Sequence, residues 1–237
     1  MAGRQMDPQR FRGCEAILFD FGGTLDSDGE HWLDRFYALY EQVKLNIPAP
    51  EIKRVFYHAD GLCSSDPQVM LLGLRPLMKK HVHLQLTALS LVDEKKEMEI
   101  AEAFCEKSEY FLRRNGVLLR RLRNRYRLGL VSNFYGNVRT LCEEAGFADI
   151  LDVIFDSVLM GMSKPDPEIF LAALAKLALP AGKVIFVGDS YERDMIPART
   201  LGMKTLWLRG LNPRIPENAG PVDGSILSLS ELEELLS

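Results

Sequence analysis

The chain has 237 residues, 47% of them hydrophobic and 26% charged, an ordinary balance for a globular protein and enough length for one large domain or a core carrying an insertion. A formal charge of −4 gives no global pull toward nucleic acid or anionic membranes. Cys14, Cys63, Cys105 and Cys142 stand far apart with no C-x-x-C pair, which argues against a zinc knuckle or a disulfide frame and for a reduced, cytoplasmic chain.

The opening stretch, MAGRQMDPQRFRG, is polar and has no apolar h-region, so a secretory signal is not expected. AILFD (16–20) reads as a buried strand that ends on a carboxylate and runs straight into Gly22, Gly23 and Thr24. From 29 to 115 the pattern turns helical: HWLDRFYALYEQVKL, PEIKRVFYHAD, PQVMLLGLRPLMKKHVHLQL and DEKKEMEIAEAFCEKSEYFLRR follow one another with no strand run between them. This block reads as a helical cap inserted after the first strand, with the core formed by 1–28 and 116–237. HWLDRFYALY has helical spacing and is expected to pack the cap's own core, with some residues free to face a substrate. Cys63, among Gly, Ser and Pro, is expected in a turn. His81 and His83 lack a third metal ligand at sensible spacing. The seven arginines between Arg113 and Arg127 are expected to be the solvated face of a helix whose apolar stripe is Val117, Leu118, Leu119 and Leu122, and not a nucleic-acid surface.

Beyond the cap, strand-like runs recur at RLGLVSN (127–133), DVIFDS (152–157), KVIFVGD (183–189) and MKTLWL (203–208), separated by NVRTLCEEAG, PEIFLAALAKLAL and ERDMIPARTLG, which read as helices. IFLAALAKLAL is too short to span a bilayer and carries Lys176; following KPDPE, it reads as a core-facing helix. The tail SLSELEELLS has capping-box spacing at Ser228–Glu231 and Ser230–Glu233, so a short closing helix is expected. Short apolar strands alternating with helices predict an α/β fold: a Rossmann-like parallel sheet with helices on both faces, plus the helical cap. Chemistry in such sheets collects at the carboxyl ends of strands, where Asp20, Ser132 and Asp189 fall.

Four short elements carry reactive groups in order: DFGGTL (20–25), LVSN (130–133), SKPDPEIF (163–170) and VGDSYERD (187–194). Phosphoryl transfer needs a nucleophile, donors for the phosphoryl oxygens, a fixed cation and a metal. Asp20 can serve as nucleophile and metal ligand. Ser132 offers a hydroxyl, Asn133 a backbone N–H and Lys164 the cation. Asp189 and Asp194 add carboxylate oxygens suited to Mg²⁺.

On these motifs the sequence resembles the haloacid dehalogenase-like hydrolases, in the subgroup with a helical cap between the first and second motifs; FDFGGTL, LGLVSN, SKPDPEIF and VGDSYERDMIPARTLGM carry the likeness, which covers the chain from about Cys14 onward. The resemblance implies a Mg²⁺-dependent hydrolase of a small phosphorylated metabolite, a phosphatase working through an aspartyl-phosphate at Asp20. Ser132 and Lys164 would bind the transferring oxygens, and Asp189 and the Gly22 carbonyl would join Asp20 on the metal. Asp194 would bond metal-bound water or orient Lys164, and Thr24 would hold the turn near Asp20. The departure is Gly22, where the family's phosphatases carry an aspartate that protonates the leaving alcohol. General acid–base catalysis is worth about 10² to 10⁴ in rate, roughly 3 to 5 kcal/mol. Three readings stay open. The favoured one is a phosphohydrolase, slow on alkyl phosphates, with a substitute acid (Asp26, Asp28, or His58, His81 or His83 of the cap) or an easy leaving group. The others are a C–P or C–halogen hydrolase and a phosphate-binding pseudoenzyme. The paired acids Asp189 and Asp194 argue against dehalogenation, and a phosphonoacetaldehyde-type reaction would need a cap lysine, for which only the adjacent, solvated Lys79 and Lys80 offer themselves.

Overall fold

The structure, a computed structural model, describes residues 7–210 and 219–236, so the first six residues of the polar opening stretch and the last residue of the tail lie outside the described residues. The apolar runs form the strands expected of them: β1 (Ala16–Phe19), β2 (Arg127–Ser132), β3 (Val153–Asp156), β4 (Val184–Gly188) and β5 (Lys204–Leu208). A further three-residue strand, β6 (Gly224–Ile226), is too short to leave an apolar pattern in the sequence. All pair in parallel, in the order β3-β2-β1-β4-β5-β6. Every carboxyl end therefore opens on one side of the sheet, and the strand order reverses between β1 and β4, where a crevice forms.

Alternate residues of β1 feed two cores. Ile17 and Phe19 join the larger apolar cluster, whereas Ala16 and Leu18 join a second one with Phe170 and Phe186. Helices cover both faces, as a parallel sheet requires. Between β1 and β2 come α1 (Trp32–Gln42), α2 (Ala49–Ser65), α3 (Leu74–Ala88) and α4 (Glu94–Leu122). After β2 come α5 (Val138–Glu144), α6 (Ser157–Met160), α7 (Pro167–Leu177), α8 (Ile196–Thr200) and α9 (Leu232–Leu235). Asp166 caps α7 through Glu168 N at 3.0 Å, with Pro167 in the first turn. The capping box between Ser228 and Glu231 precedes α9.

Several local expectations change. The run PQVMLLGLRPLMKKHVHLQL is two elements, a 3₁₀ turn at Pro67–Leu71 and α3, interrupted at Leu72 and Gly73. Cys63 is buried in the last turn of α2, not in a loop, because its apolar neighbours Ala59, Phe56 and Ile52 continue the helical stripe and outweigh the Gly and Ser beside it. α4 is one continuous helix of 29 residues that passes through 115 without a break. The arginines in and just after it are mostly paired: Arg114 with Asp28 at 2.6 Å, Arg121 with Glu233 at 3.0 Å and Arg123 with Asp152 at 2.9 Å. Val117, expected in the apolar stripe, is 53% exposed, whereas Leu118, Leu119 and Leu122 are buried. Among the described residues no helix is long and apolar enough to cross a membrane.

Candidate active site

The four reactive elements meet at the carboxyl end of the sheet. Asp20 follows β1, Ser132 ends β2, Asp189 follows β4, and Lys164 enters from the loop ahead of α7. Asp20 Oδ1 accepts from Ser132 Oγ at 2.7 Å, from Lys164 Nζ at 2.8 Å and from Phe21 N at 2.7 Å. Lys164 Nζ also donates to Asp194 Oδ1 at 2.7 Å, and Asp194 Oδ2 accepts from Ser190 N at 3.0 Å. Asn133 fixes the lysine from the backbone: its Nδ2 donates to Lys164 O and its Oδ1 accepts from Lys164 N, both at 2.8 Å. Thr24 Oγ1 reaches Asp189 Oδ1 at 3.4 Å, so the Thr24 side chain meets the fourth motif and not Asp20. Two glycines make room for this packing. A Cβ at Gly23, whose φ is +82°, would lie 2.5 Å from Asp189 Oδ2, and one at Gly188 would lie 2.3 Å from Asp194 Oδ2.

Carboxylate oxygens of Asp20, Asp189 and Asp194 lie within 4.8 Å of one another. Burial pushes the Asp189 carboxyl well above the usual carboxylate range, and the charges of Asp20 and Asp194 push it further. Burial likewise lifts Asp194 to about 6, against the opposing pull of Lys164. Burial also works against charging Lys164, but Asp194 and Asp20 outweigh it and hold the ammonium above the ordinary lysine value. Three clustered carboxylates face one ammonium, which pairs with Asp20 and Asp194 and leaves a surplus of negative charge in the crevice. A hard divalent cation with oxygen ligands fits that donor set. A cavity of about 350 Å³ opens above these groups, lined among others by Gly22, Trp32, Asp34, Phe56, Asp60, Phe134 and Arg209.

A sequence profile of the haloacid dehalogenase-like hydrolases matches residues 14–202. The chain belongs to the haloacid dehalogenase-like hydrolases. Among curated relatives, the pyrimidine 5′-nucleotidase YjjG of Escherichia coli is 31% identical over 121 residues, 50% of this chain and 53% of that protein. The phosphoserine phosphatase of Thermus thermophilus is 32% identical over 124 residues, 50% of each chain. These matches span about half the length of the relatives. A crystal structure of a dehalogenase with an intermediate complex superposes with a TM-score of 0.64 at 20% identity, covering 94% of this chain and 97% of that one. A haloacid dehalogenase-family phosphatase from Thermococcus onnurineus gives a TM-score of 0.52 at 22% identity, covering 94% of this chain and 98% of that one. At these identities the structures speak to the fold.

Within this haloacid dehalogenase-like site, an aromatic wall stands over Gly22. A Cβ there would meet Trp32 Nε1 at 3.5 Å and Phe134 Cε2 at 3.9 Å, and the two rings pack edge to face at 5.4 Å. Trp32 is held in turn by Asp26, whose Oδ2 accepts from the indole Nε1 at 2.7 Å and from Ser108 Oγ at 3.0 Å. Asp26 Oδ1 accepts from Gly23 N at 2.8 Å, and Arg35 lies 3.6 Å away. Asp26 is thus a fully buried support of the turn and does not line the cavity. Nor does Asp28, which is committed to Arg114 and to Leu229 N. His58, His81 and His83 are also absent from the cavity wall; His58 is exposed and His83 pairs with Glu97. None of the five residues considered as a substitute acid reaches the cavity directly. His81 touches it at one remove, through Asp60. Asp60 and Tyr135 escape sequence reasoning because they meet across 75 residues, and the Trp32–Asp26–Arg35 network because packing, not spacing, turns Asp26 inward; only the helical aromatic stripe of α1 hinted at Trp32.

Proposed function

We propose that the protein is a Mg²⁺-dependent phosphohydrolase acting on a small phosphorylated metabolite through an aspartyl-phosphate at Asp20. The observation that carries this reading is the convergence of Ser132 Oγ and Lys164 Nζ on one oxygen of Asp20, at 2.7 and 2.8 Å, beside the acid pair Asp189 and Asp194. When a phosphate enters, the hydroxyl and the ammonium turn from the carboxylate to its oxygens, joined by the N–H of Asn133. A carboxylate oxygen of Asp20 bonds to phosphorus as the bond to the leaving oxygen breaks, and the leaving group departs with that electron pair. Water then bonds to phosphorus, the aspartyl oxygen is released, and the water's proton passes to solvent or to the leaving group. Asp20, Asp189, Asp194 and the Gly22 carbonyl would hold Mg²⁺, which when bound supplies charge neutralisation for the phosphoryl oxygens. Asp194 keeps Lys164 aimed at the reacting centre, and Thr24 steadies Asp189.

Helices α1 and α2 contribute Trp32, Asp34, Phe56 and Asp60 to the cavity, so the helical insertion acts as the cap that excludes water and selects the substrate. The four free thiols favour a cytoplasmic setting. With glycine at position 22, turnover of alkyl phosphates is slow. The test is Mg²⁺-dependent release of phosphate from p-nitrophenyl phosphate, whose leaving group needs little protonation. Wild type should be active and Asp20→Asn inactive. Substantial hydrolysis by Asp20→Asn removes Asp20 as nucleophile, and tight phosphate binding without turnover by wild type points instead to a pseudoenzyme.

A further inference from the structure

The cap carries a chain of buried polar side chains that the phosphoryl chemistry does not use. It begins at Tyr40 in α1, whose hydroxyl donates to Gln85 Oε1 at 2.9 Å; Gln85 Nε2 bonds His81 Nδ1 at 2.8 Å; and His81 Nε2 bonds Asp60 Oδ1 at 3.1 Å. His81 and Gln85 are fully buried and Tyr40 is 1% exposed. His81 sits among apolar rings, 5.5 Å from the centre of Phe36 and 5.4 Å from that of Phe56. Placing three polar groups in such a core costs free energy that apolar side chains of similar size would not, unless the chain holds something in place. What it holds is Asp60. A carboxylate can only accept, so His81 Nε2 donates to it, and the hydroxyl of Tyr135, from the loop after β2, donates to the same oxygen. Both donors fall on Oδ1, so Oδ2 is the acceptor the network leaves over. Asp60 lines the cavity with 28% of its side chain exposed, and among the described residues it is paired with His81 and not with a lysine or arginine, so its charge has no fixed cationic partner.

Between Asp60 and the reacting centre the cavity wall is aromatic. Trp32, Phe134, Tyr135, Phe56 and Tyr57 all line it, with Phe134 and Tyr135 ring centres 4.9 Å apart. Trp32 and Phe134 occupy the flank of Gly22, where the proton donor of the family's phosphatases would reach the leaving oxygen. Rings set edge to face and tilted, as Trp32, Phe134 and Tyr135 are, offer a further aromatic ring offset-stacked or edge-on contacts. A missing acid favours a leaving oxygen that is stable as an anion, and a phenolic oxygen, with a pKa near 10 against about 15.7 for water, meets that need. A carboxylate with one spare oxygen favours a hydrogen-bond donor, best an ammonium.

We propose that this site takes phosphate esters of phenol-type rings bearing an ammonium group, with the ring against Trp32 and Phe134 and the ammonium on Asp60. Asp60 is then a specificity-determining residue, and Tyr40, Gln85 and His81 are positioning residues that act through it. In the chemical step the bond from an Asp20 oxygen to phosphorus forms as the bond to the aryl oxygen breaks. The aryloxide leaves with the electron pair and later takes its proton from water. The inference deepens the phosphohydrolase reading and rests on it.

The test compares aminomethylphenyl phosphates, meta and para, with the ethylphenyl isosteres, in which methyl replaces the ammonium, and with ethyl phosphate, in wild type and Asp60→Asn. Wild type should prefer the better ammonium ester at least tenfold in kcat/KM over its ethylphenyl isostere, mainly through KM, and should prefer both aryl esters to ethyl phosphate. Asp60→Asn, checked for folding by its melting curve, should bring the ammonium-to-methyl ratio close to one, a substrate-specific change that a general loss of structure does not produce. A wild-type ratio near one, a ratio unchanged in Asp60→Asn, or a preference for ethyl phosphate overturns the proposal. Calorimetric binding of the same esters to Asp20→Asn reads the discrimination without turnover. Loss of all hydrolysis in wild type together with retained discrimination in binding therefore defeats the catalytic reading and keeps the specificity one, and equal binding of the two esters defeats the specificity one.

Discussion

Restoring the acid at position 22 is the sharpest probe of the chemistry. Gly22 has φ −69° and ψ 124°, a conformation open to any residue, so Gly22→Asp meets no backbone strain. Its Cβ would stand 3.5 Å from Trp32 Nε1, ordinary contact that moves nothing. The difficulty lies one bond further out. The new carboxyl must choose between the cavity, where it could protonate a leaving oxygen, and the Trp32 indole, whose N–H is already engaged by Asp26 at 2.7 Å. A fully productive acid would bring about 10² to 10⁴ in rate. Shared between two orientations, the gain on an alkyl phosphate should be about 10- to 100-fold, or roughly 1.4 to 2.7 kcal/mol off the barrier. The assay is kcat/KM for ethyl phosphate and for p-nitrophenyl phosphate, side by side. The second should rise less than threefold (~0.65 kcal/mol) because its leaving group already departs readily. An equal rise on both substrates, or no rise on ethyl phosphate with an unaltered melting temperature, refutes the idea that a missing proton limits turnover.

Asp26→Ala should destabilise the fold by about 3 to 5 kcal/mol, since it strips acceptors from Gly23 N, Trp32 Nε1 and Ser108 Oγ and leaves the buried Arg35 with Glu30 alone as its acidic partner. For a chain of this length that is a drop in Tm of roughly 6 to 20 °C by calorimetry, and a drop under about 2 °C would show that the network contributes little. Mg²⁺ at a hundred times its Kd should stabilise wild type by about 2.7 kcal/mol, a rise of roughly 5 to 11 °C, and Asp189→Asn should abolish most of it; an equal rise in that variant would place the metal elsewhere. Burial pushes the Cys63 and Cys105 thiols up to about 12 and raises Cys142 further still. At pH 8 only about one molecule in ten thousand carries the thiolate at Cys63 or Cys105, so native iodoacetamide labelling followed by mass spectrometry should find Cys14 alone modified. Rapid native labelling at Cys63 would contradict the packing of α2.

How much of this was readable beforehand follows from the range of the interactions. The strands and the ends that carry Asp20, Ser132 and Asp189 were legible, because a parallel sheet writes its buried strands as short apolar runs and points their carboxyl ends one way. Lys164 was legible through its Lys-Pro setting and its order among the motifs. The substitute acids were not, since proximity in sequence placed Asp26 and Asp28 near the turn, while packing turned Asp26 inward and gave Asp28 to Arg114. Asp60 and Tyr135 stand 75 residues apart, and nothing local marks either as a partner of the other. The helical pattern located α2 correctly but could not say which of its faces would meet the cavity.

Two of the buried polar residues of helix α4, Ser108 and Asn115, both grip the segment following β1: the hydroxyl donates to Asp26 Oδ2 at 3.0 Å and the amide to Leu25 O at 2.8 Å. They are seven positions apart, about two helical turns, so both emerge on one side of the rod. Deleting a single residue between them would swing one grip by roughly 100° away from the other. The catalytic loop is thus gauged by a seven-residue interval of α4, and any length change within it also moves one grip by about 1.5 Å per residue along the helix axis.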